Sequence, residues 1–145
     1  MKFILKSLQN IDNLISYIFS NNANESQYLK NIFKDKKIIC FDVGANLGGY
    51  SSFINKNLNV KELHIFEPSK ECTIYLKKNY NEKKFKIEES AVTIRDGKRD
   101  FYENEILSQS SLHRYKNKFN KNYNIKKKYE VNCISLDNYC SKLSA

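Results

Sequence analysis

Short apolar runs separated by polar turns dominate the pattern from residue 36 onward. Residues 38–41 (IICF) and 63–66 (LHIF) are largely apolar runs of the kind found in strands buried on both faces of a parallel sheet. The segment from residue 50 to about 58 between them predicts a helix. A second helix is predicted after Pro68, with Ser69 as its N-cap. This alternation of strands and helices predicts an α/β fold with parallel pairing and right-handed crossovers.

The pattern beyond residue 84 is weaker. Residues 85–87 (FKI), running into residues 90–92 (SAV), predict a third strand. The turn signal Asp96-Gly97 lies between residues 92–94 and residues 100–102, which indicates a β-hairpin. We therefore expect a Rossmann-like parallel sheet with flanking helices, followed by a hairpin.

The last third of the chain is largely polar. Residues 103–128 predict a loop or a surface helix, and the alternation in residues 131–136 predicts one more strand. No internal repeat or linker is evident.

The first part of the chain reads as an amphipathic helix over residues 3–19. Its apolar positions recur at steps of three and four: Ile4, Leu8, Ile11, Ile15 and Ile18. The polar face lacks a basic band, which favours packing against the domain over lying on a membrane. Polar residues 20–27 are expected to form a loop. The predicted division is residues 1–35, helix and linker, and residues 36–145, the main domain.

Length and composition fit one globular domain. The chain has 145 residues, of which 41% are hydrophobic, enough for a core. No apolar run approaches the roughly 18 residues that a spanning helix needs. Lys6, Asn10 and Asp12 interrupt any signal-peptide core, so we expect a cytoplasmic protein.

The cysteines and histidines do not form a metal-site pattern. Four cysteines stand singly, and His64 and His113 are far apart along the chain. This spacing argues against a zinc site and against a disulfide framework. We expect no metal and reduced, mostly buried thiols.

The formal net charge of +9 raises a nucleic-acid hypothesis. Only three of the basic residues are arginines, the side chain best suited to phosphates and guanines. An AT-rich coding sequence would give the same Lys, Asn and Ile bias. Residues 114–128 nevertheless combine lysines with aromatic residues and no acid, so a single-strand-binding surface stays an alternative to a solvated loop.

Three of the four glycines follow the first predicted strand within six residues: Gly44, Gly48 and Gly49. Glycine there permits a sharp turn and lets a ligand approach the peptide groups. Asp42 precedes the cluster, and Glu67 follows the second strand at a distance of 67 − 42 = 25 residues. An acid at about 20 residues is the usual partner of a nucleoside's ribose hydroxyls.

The loop sequence also favours one kind of nucleoside. A dinucleotide site uses GxGxxG and presents bare backbone amides to a pyrophosphate. Here the pattern is DxGxxxG, and the carboxylate of Asp42 would repel a phosphate. A ligand with a sulfonium and an ammonium, such as S-adenosylmethionine, suits this site better.

Two segments, the glycine loop and the stretch around Glu67, resemble motifs of the FkbM family of S-adenosylmethionine-dependent methyltransferases. Residues 41–51 (FDVGANLGGYS) are similar to the first motif of that family, and residues 65–69 (IFEPS) to the second. Less specific landmarks follow in the same order: residues 90–92, Gly97, residues 110–112 and residues 135–139.

The resemblance implies a class I methyltransferase fold that uses S-adenosylmethionine to methylate a hydroxyl on a sugar, polysaccharide or secondary metabolite. A small-molecule or glycan acceptor would be the partner. By position, the methionine side of the donor would meet Asp42, Gly44, Asn46 and Gly48. Glu67 would hold the ribose, and Ser90 and Ala91 would lie near the adenine. Ala45 and Pro68 adjoin these positions and complete the expected cofactor-binding set.

The sequence departs from the family after residue 140. A strand with a Lys-Ile-Asp-x-Glu-Gly-like motif is expected there and is not found. We therefore expect an incomplete fold whose first strand has an uncovered edge, open to self-association or a partner chain. A noncatalytic donor-binding module that completes another subunit is the alternative. No catalytic base can be named, since His113 stands alone in a polar segment.

Overall fold

The computed structural model describes residues 23–114 and 125–143. Within these ranges there are four helices, Ala23–Ile32 (α1), Gly49–Asn57 (α2), Lys70–Asn79 (α3) and Leu136–Leu143 (α4). The same described residues form six strands, Ile38–Val43 (β1), Val60–Phe66 (β2), Phe85–Glu88 (β3), Ala91–Val92 (β4), Gly97–Asn104 (β5) and Ile125–Ile134 (β6). In these ranges no helix is both long and apolar enough to span a membrane.

The predicted α/β architecture is confirmed by the first sheet. Strands β1, β2 and β3 are parallel and lie in that order, with α2 and α3 as the connections between them. Leu63 and Ile65 of β2 are fully buried on one face of the sheet. They pack in one core with Phe53 of α2 and Leu76 of α3, which explains why the strand is apolar.

The opposite face of this sheet is contacted by Tyr139 of α4, a helix that the sequence pattern did not predict. Its Tyr139 ring packs against Phe66, with ring centroids 4.9 Å apart, and against Phe41. The Tyr139 hydroxyl lies 2.9 Å from Nδ1 of the fully buried His64. Burial, and to a smaller extent the negative charge of Glu88, raises the pKa of Tyr139 to about 12. Tyr139, the one buried residue of α4, therefore packs on this face of the sheet and forms a buried polar contact with His64.

The predicted third strand and hairpin are wrong in part. Strand β3 ends at Glu88, and the turn through Ser90 moves the chain to a second sheet with the order β4-β6-β5. Strand β4 pairs with β6 in parallel, and β5 pairs with β6 antiparallel, so β4 and β5 do not form a hairpin. The side chain of Ala91 is buried with Phe101 and Val131, and this second core accounts for the change of sheet.

The predicted loop or helix over residues 103–128 is confirmed as a loop for residues 105–114 and is wrong at its two ends, which belong to strands. Strand β5 continues to Asn104, a short 3-10 turn follows at Leu107–Gln109, and β6 already begins at Ile125. Polar residues are tolerated in this ribbon because opposite charges form pairs with diagonal neighbours across the strands. Lys128 pairs with Asp100 at 2.7 Å, and Lys98 pairs with Glu130 at 3.1 Å. The predicted strand over residues 131–136 corresponds to the end of β6.

The N-terminal predictions have mixed outcomes. The predicted helix over residues 3–19 lies outside the described residues. The predicted loop over residues 20–27 is wrong from Ala23 onward, because α1 begins there. This helix is held by Leu29, which packs against the core of the first sheet. The domain division at residue 35 stays a prediction.

Strand β1 has an exposed edge. Among the described residues it pairs only with β2, and Ile39 and Val43 are about half exposed, at 48% and 51%. The uncovered edge expected from the sequence is therefore present in the described part of the chain, whereas association through it stays a prediction.

Candidate functional site

The carboxyl ends of β1 and β2 lie side by side and are joined by the loop that follows β1. The backbone N–H groups of Gly44 and Ala45 both donate to the carbonyl oxygen of Phe66, at 2.9 and 3.1 Å. Gly44, Asn46 and Gly48 all have left-handed backbone, with φ of 75°, 52° and 83°. Three such residues in a short loop turn its peptide groups toward the end of the neighbouring strand, which is the geometry that glycine and asparagine favour.

The two left-handed glycines have different surroundings. At Gly48, an added Cβ would lie 2.8 Å from the Tyr80 ring and 2.9 Å from Leu76. The Tyr80 hydroxyl also donates to the Gly48 carbonyl at 2.6 Å. At Gly44, no atom lies within 4 Å of the Cβ position. Gly48 is therefore needed for packing, whereas Gly44 keeps the front of the loop open.

Asp42 is buried at the end of β1, with 6% of its surface exposed. The hydroxyl of Ser51, in the first turn of α2, donates to its Oδ2 at 2.5 Å. Burial raises the pKa of Asp42, and the hydrogen bonds from Ser51 offset this only in part. Asp42 thus orients the helix that follows the loop and also brings a poorly solvated carboxylate to the crevice.

Glu67 follows the end of β2 and is equally buried. Its Oε2 accepts the N–H of Asn46 at 2.7 Å, and its Oε1 accepts the N–H of Ser69 at 2.8 Å. Burial raises the pKa of Glu67 most, and the charge of Asp42 raises it further. The two acids are therefore close enough to interact. An ionised carboxylate has about four acceptor positions, so Glu67 keeps room for two more donors.

The remaining predicted residues divide into two groups. The Glu67 and Ser90 N–H groups both donate to the Glu88 carbonyl, at 3.0 and 2.9 Å, which brings Ser90 beside the crevice. Pro68 follows Glu67 directly and is half-buried. Ala91 instead points into the core of the second sheet. The side of Gly48 that faces Tyr80 likewise belongs to the packing between α2 and α3.

Glu103 is a third buried acid that the sequence pattern did not reveal. It lies in β5, is 3% exposed, and its charge also raises the pKa of Glu67. Its Oε2 accepts the hydroxyl of Tyr129 at 2.7 Å. The alternation in β5 offers a signal, because Phe101 and Glu103 share one face of a strand and Phe101 is strongly apolar.

His113 and the basic segment contribute little to the site as described. His113 is exposed, and residues 115–124 of the basic segment lie outside the described ranges. In the described part, Lys126 lies 3.5 Å from Glu71 and Lys128 lies 2.7 Å from Asp100. These two lysines are thus occupied by acids of the same chain, and nucleic-acid binding stays an untested alternative.

No protein-family model matches the chain, and no curated protein matches it. A solved structure from Methanococcus maripaludis, described as a proposed S-adenosyl-L-methionine-dependent methyltransferase, is similar with 19% sequence identity and a TM-score of 0.45. The alignment covers 63% of this chain and 45% of that protein, so the matched region spans less than half of its length. A likeness of this size does not define a function, which has to be argued from the site.

Proposed function

We propose that the chain binds S-adenosylmethionine at the ends of β1 and β2 and belongs to an S-adenosylmethionine-dependent methyltransferase. The observation that carries the proposal is the pair of buried carboxylates, Asp42 and Glu67, on either side of an open glycine loop. In parallel α/β sheets, ligands bind outside the carboxyl ends of the strands, where both acids are found.

The charge of the crevice favours a nucleoside without phosphates. Residues 42–51 and 67–69 include two acids and no lysine or arginine. Burial raises the pKa of both Asp42 and Glu67, and the charge of Asp42 raises the pKa of Glu67 further, since a nearby ionised carboxylate disfavours ionisation. A bound sulfonium and ammonium would relieve this repulsion, whereas a phosphate would increase it.

The residues fit the parts of this donor as follows. Glu67 has free acceptor positions for the two ribose hydroxyls. Asp42 and the open face of the loop at Gly44 and Asn46 suit the methionine end. The adjoining Ala45 and Gly48 would contribute backbone only, because Ala45 packs in the first core and Gly48 faces Tyr80. Ser90 and Pro68 flank Glu67 on the side where the adenine would lie, whereas the Ala91 side chain packs in the core of the second sheet.

The donor would supply a methyl group bonded to a positively charged sulfur. An acceptor oxygen would attack the methyl carbon, and the sulfur would leave as the neutral thioether of S-adenosylhomocysteine. The described residues contribute binding and alignment, which provide a large part of the rate in reactions of this kind. Asp42 and Glu67 would fix the two ends of the nucleoside and keep its reactive centre in a negative field. As finer parts of the proposal, the acceptor is a hydroxyl of a sugar, polysaccharide or secondary metabolite, and the family is FkbM.

Calorimetry with two ligands that share adenosine tests the donor site. S-adenosylhomocysteine and ADP differ only in the group on the 5′ carbon, which is an amino acid thioether in one and a diphosphate in the other. We expect S-adenosylhomocysteine to bind at least about tenfold tighter, equivalent to about 1.4 kcal/mol. Equal or tighter binding of ADP would refute the proposal. Donor binding without transfer to any acceptor would indicate the noncatalytic module instead.

A further inference from the structure

A separate cavity of about 620 Å³ lies between α3 and the β5–β6 ribbon. Its walls include Ile74 and Tyr75 of α3 and Tyr129 of β6. Ile74 is 62% exposed and gives this wall an accessible aliphatic surface. The volume lies within the range of pockets that hold small organic molecules.

Glu103 provides the polar end of this cavity. Its Oε1 is enclosed and has no hydrogen-bond partner among the described residues, and the nearest cation, Nζ of Lys126, is 3.9 Å away. A buried carboxylate oxygen without a donor is unfavourable. Burial and Glu103 raise the pKa of Tyr129, so its phenol stays protonated and occupies Oε2. Because Oε1 has almost no accessible surface, a ligand hydroxyl would supply the missing donor once the Glu103 carboxylate turns toward the cavity that it lines.

The opening of the cavity carries positive charge. Lys70, Lys78 and Lys127 line it and are exposed, and none of them forms an ion pair in the described ranges. The acidic lining residues are Glu71 and Glu103, and both face Lys126. The cavity therefore combines one buried acceptor, an aromatic and aliphatic wall, and unneutralised ammonium groups at its mouth.

We propose that this cavity is a second binding site, which takes a small organic anion bearing hydroxyl groups, such as a uronic acid glycoside or a sugar phosphate. A hydroxyl of the ligand donates to Oε1 of Glu103, its ring lies against Tyr129 and Ile74, and its acidic group faces Lys78 and Lys127. The site adjoins the proposed donor crevice, because Ser69 contacts both Glu67 and Glu103. Binding in the cavity itself does not depend on the proposed function.

The test titrates the full chain with 4-nitrophenyl β-D-glucuronide and with 4-nitrophenyl β-D-glucoside, in which a neutral hydroxymethyl group replaces the carboxylate. The glucuronide should bind saturably and about tenfold tighter than the glucoside, as expected when a charged hydrogen bond is gained. The double variant Lys78→Gln/Lys127→Gln should lose this preference, whereas Lys83→Gln, an exposed lysine that does not line the cavity, should keep it. Glu103→Gln should weaken both glycosides about tenfold.

Two results would overturn the inference: no saturable binding of the glucuronide, or a preference that survives in the Lys78/Lys127 variant. Because those lysines are exposed, their replacement should leave the chain folded, and a lost preference for the glucuronide then reports on binding. S-adenosylhomocysteine affinity, measured on the same variants, separates this inference from the proposed function. The lysine variant should bind it as the wild type does. Glucuronide binding in a chain that does not bind S-adenosylhomocysteine would sustain the cavity and refute the donor site.

Discussion

Replacing Gly48 with alanine is expected to lower the free energy of unfolding by about 2–5 kcal/mol. Alanine in left-handed backbone costs about 1–2 kcal/mol, and forcing a methyl group into occupied space costs about 1–3 kcal/mol. The added Cβ would meet Tyr80 at 2.8 Å and Leu76 at 2.9 Å. Moving Tyr80 aside would also break its hydrogen bond to the Gly48 carbonyl. Urea unfolding of the full chain measures the change.

Gly44→Ala is the matched control for this prediction. It has nearly the same φ as Gly48 but open space at the Cβ position, so only the backbone term of about 1–2 kcal/mol should remain. Because this methyl group would enter the open side of the loop, the loss in the free energy of S-adenosylhomocysteine binding should exceed the loss in the free energy of unfolding. Equal losses of stability in the two variants would show that the Tyr80 ring does not pack closely against the Cβ position of residue 48.

Glu67→Gln is expected to weaken S-adenosylhomocysteine binding about tenfold or more, as estimated for the loss of charged hydrogen bonds. The amide nitrogen of glutamine cannot accept a ribose hydroxyl, and it would face one of the two backbone N–H groups that Glu67 now accepts. Glu130→Gln makes the same chemical change on the exposed surface of β6 and should leave the affinity unchanged. Calorimetry gives the affinities.

A ligand change separates ribose recognition from a disturbed loop. The 2′-deoxy analogue of S-adenosylhomocysteine should bind the wild type more weakly than the parent ligand does, and it should show little such difference with Glu67→Gln. If both proteins discriminate equally against the deoxy analogue, Glu67 does not hold the ribose, even though the loop depends on it.

The first half of the fold could be predicted because its signals are local. The apolar runs at β1 and β2, the glycines between them and the Ser69 cap each act within a few neighbouring residues. The Ser69 side chain accepts the N–H of Cys72 at the start of α3, as expected for an N-cap. Because these signals are local, the sequence also predicts that Asp42 and Glu67 lie at the ends of adjacent parallel strands, and the charge of Asp42 does act on Glu67.

The second sheet could not be predicted in the same way because its pairing is distant along the chain. The turn signal Asp96-Gly97 predicts a hairpin, yet the carboxylate of Asp96 accepts the N–H of Ser135 at 2.7 Å. That contact lowers the pKa of Asp96 and ties the turn to the start of α4. Residues 97–104 therefore pair with β6, more than 20 positions away, and this placement is what buries Glu103.

The most direct test of the account maps the S-adenosylhomocysteine site residue by residue by NMR on the 15N-labelled chain. The account predicts that the amide signals of Gly44, Ala45 and Asn46, and those of Glu67 and Ser69, shift most and saturate together. Saturable binding that leaves these amides unchanged, with the largest shifts elsewhere in the chain, would contradict it.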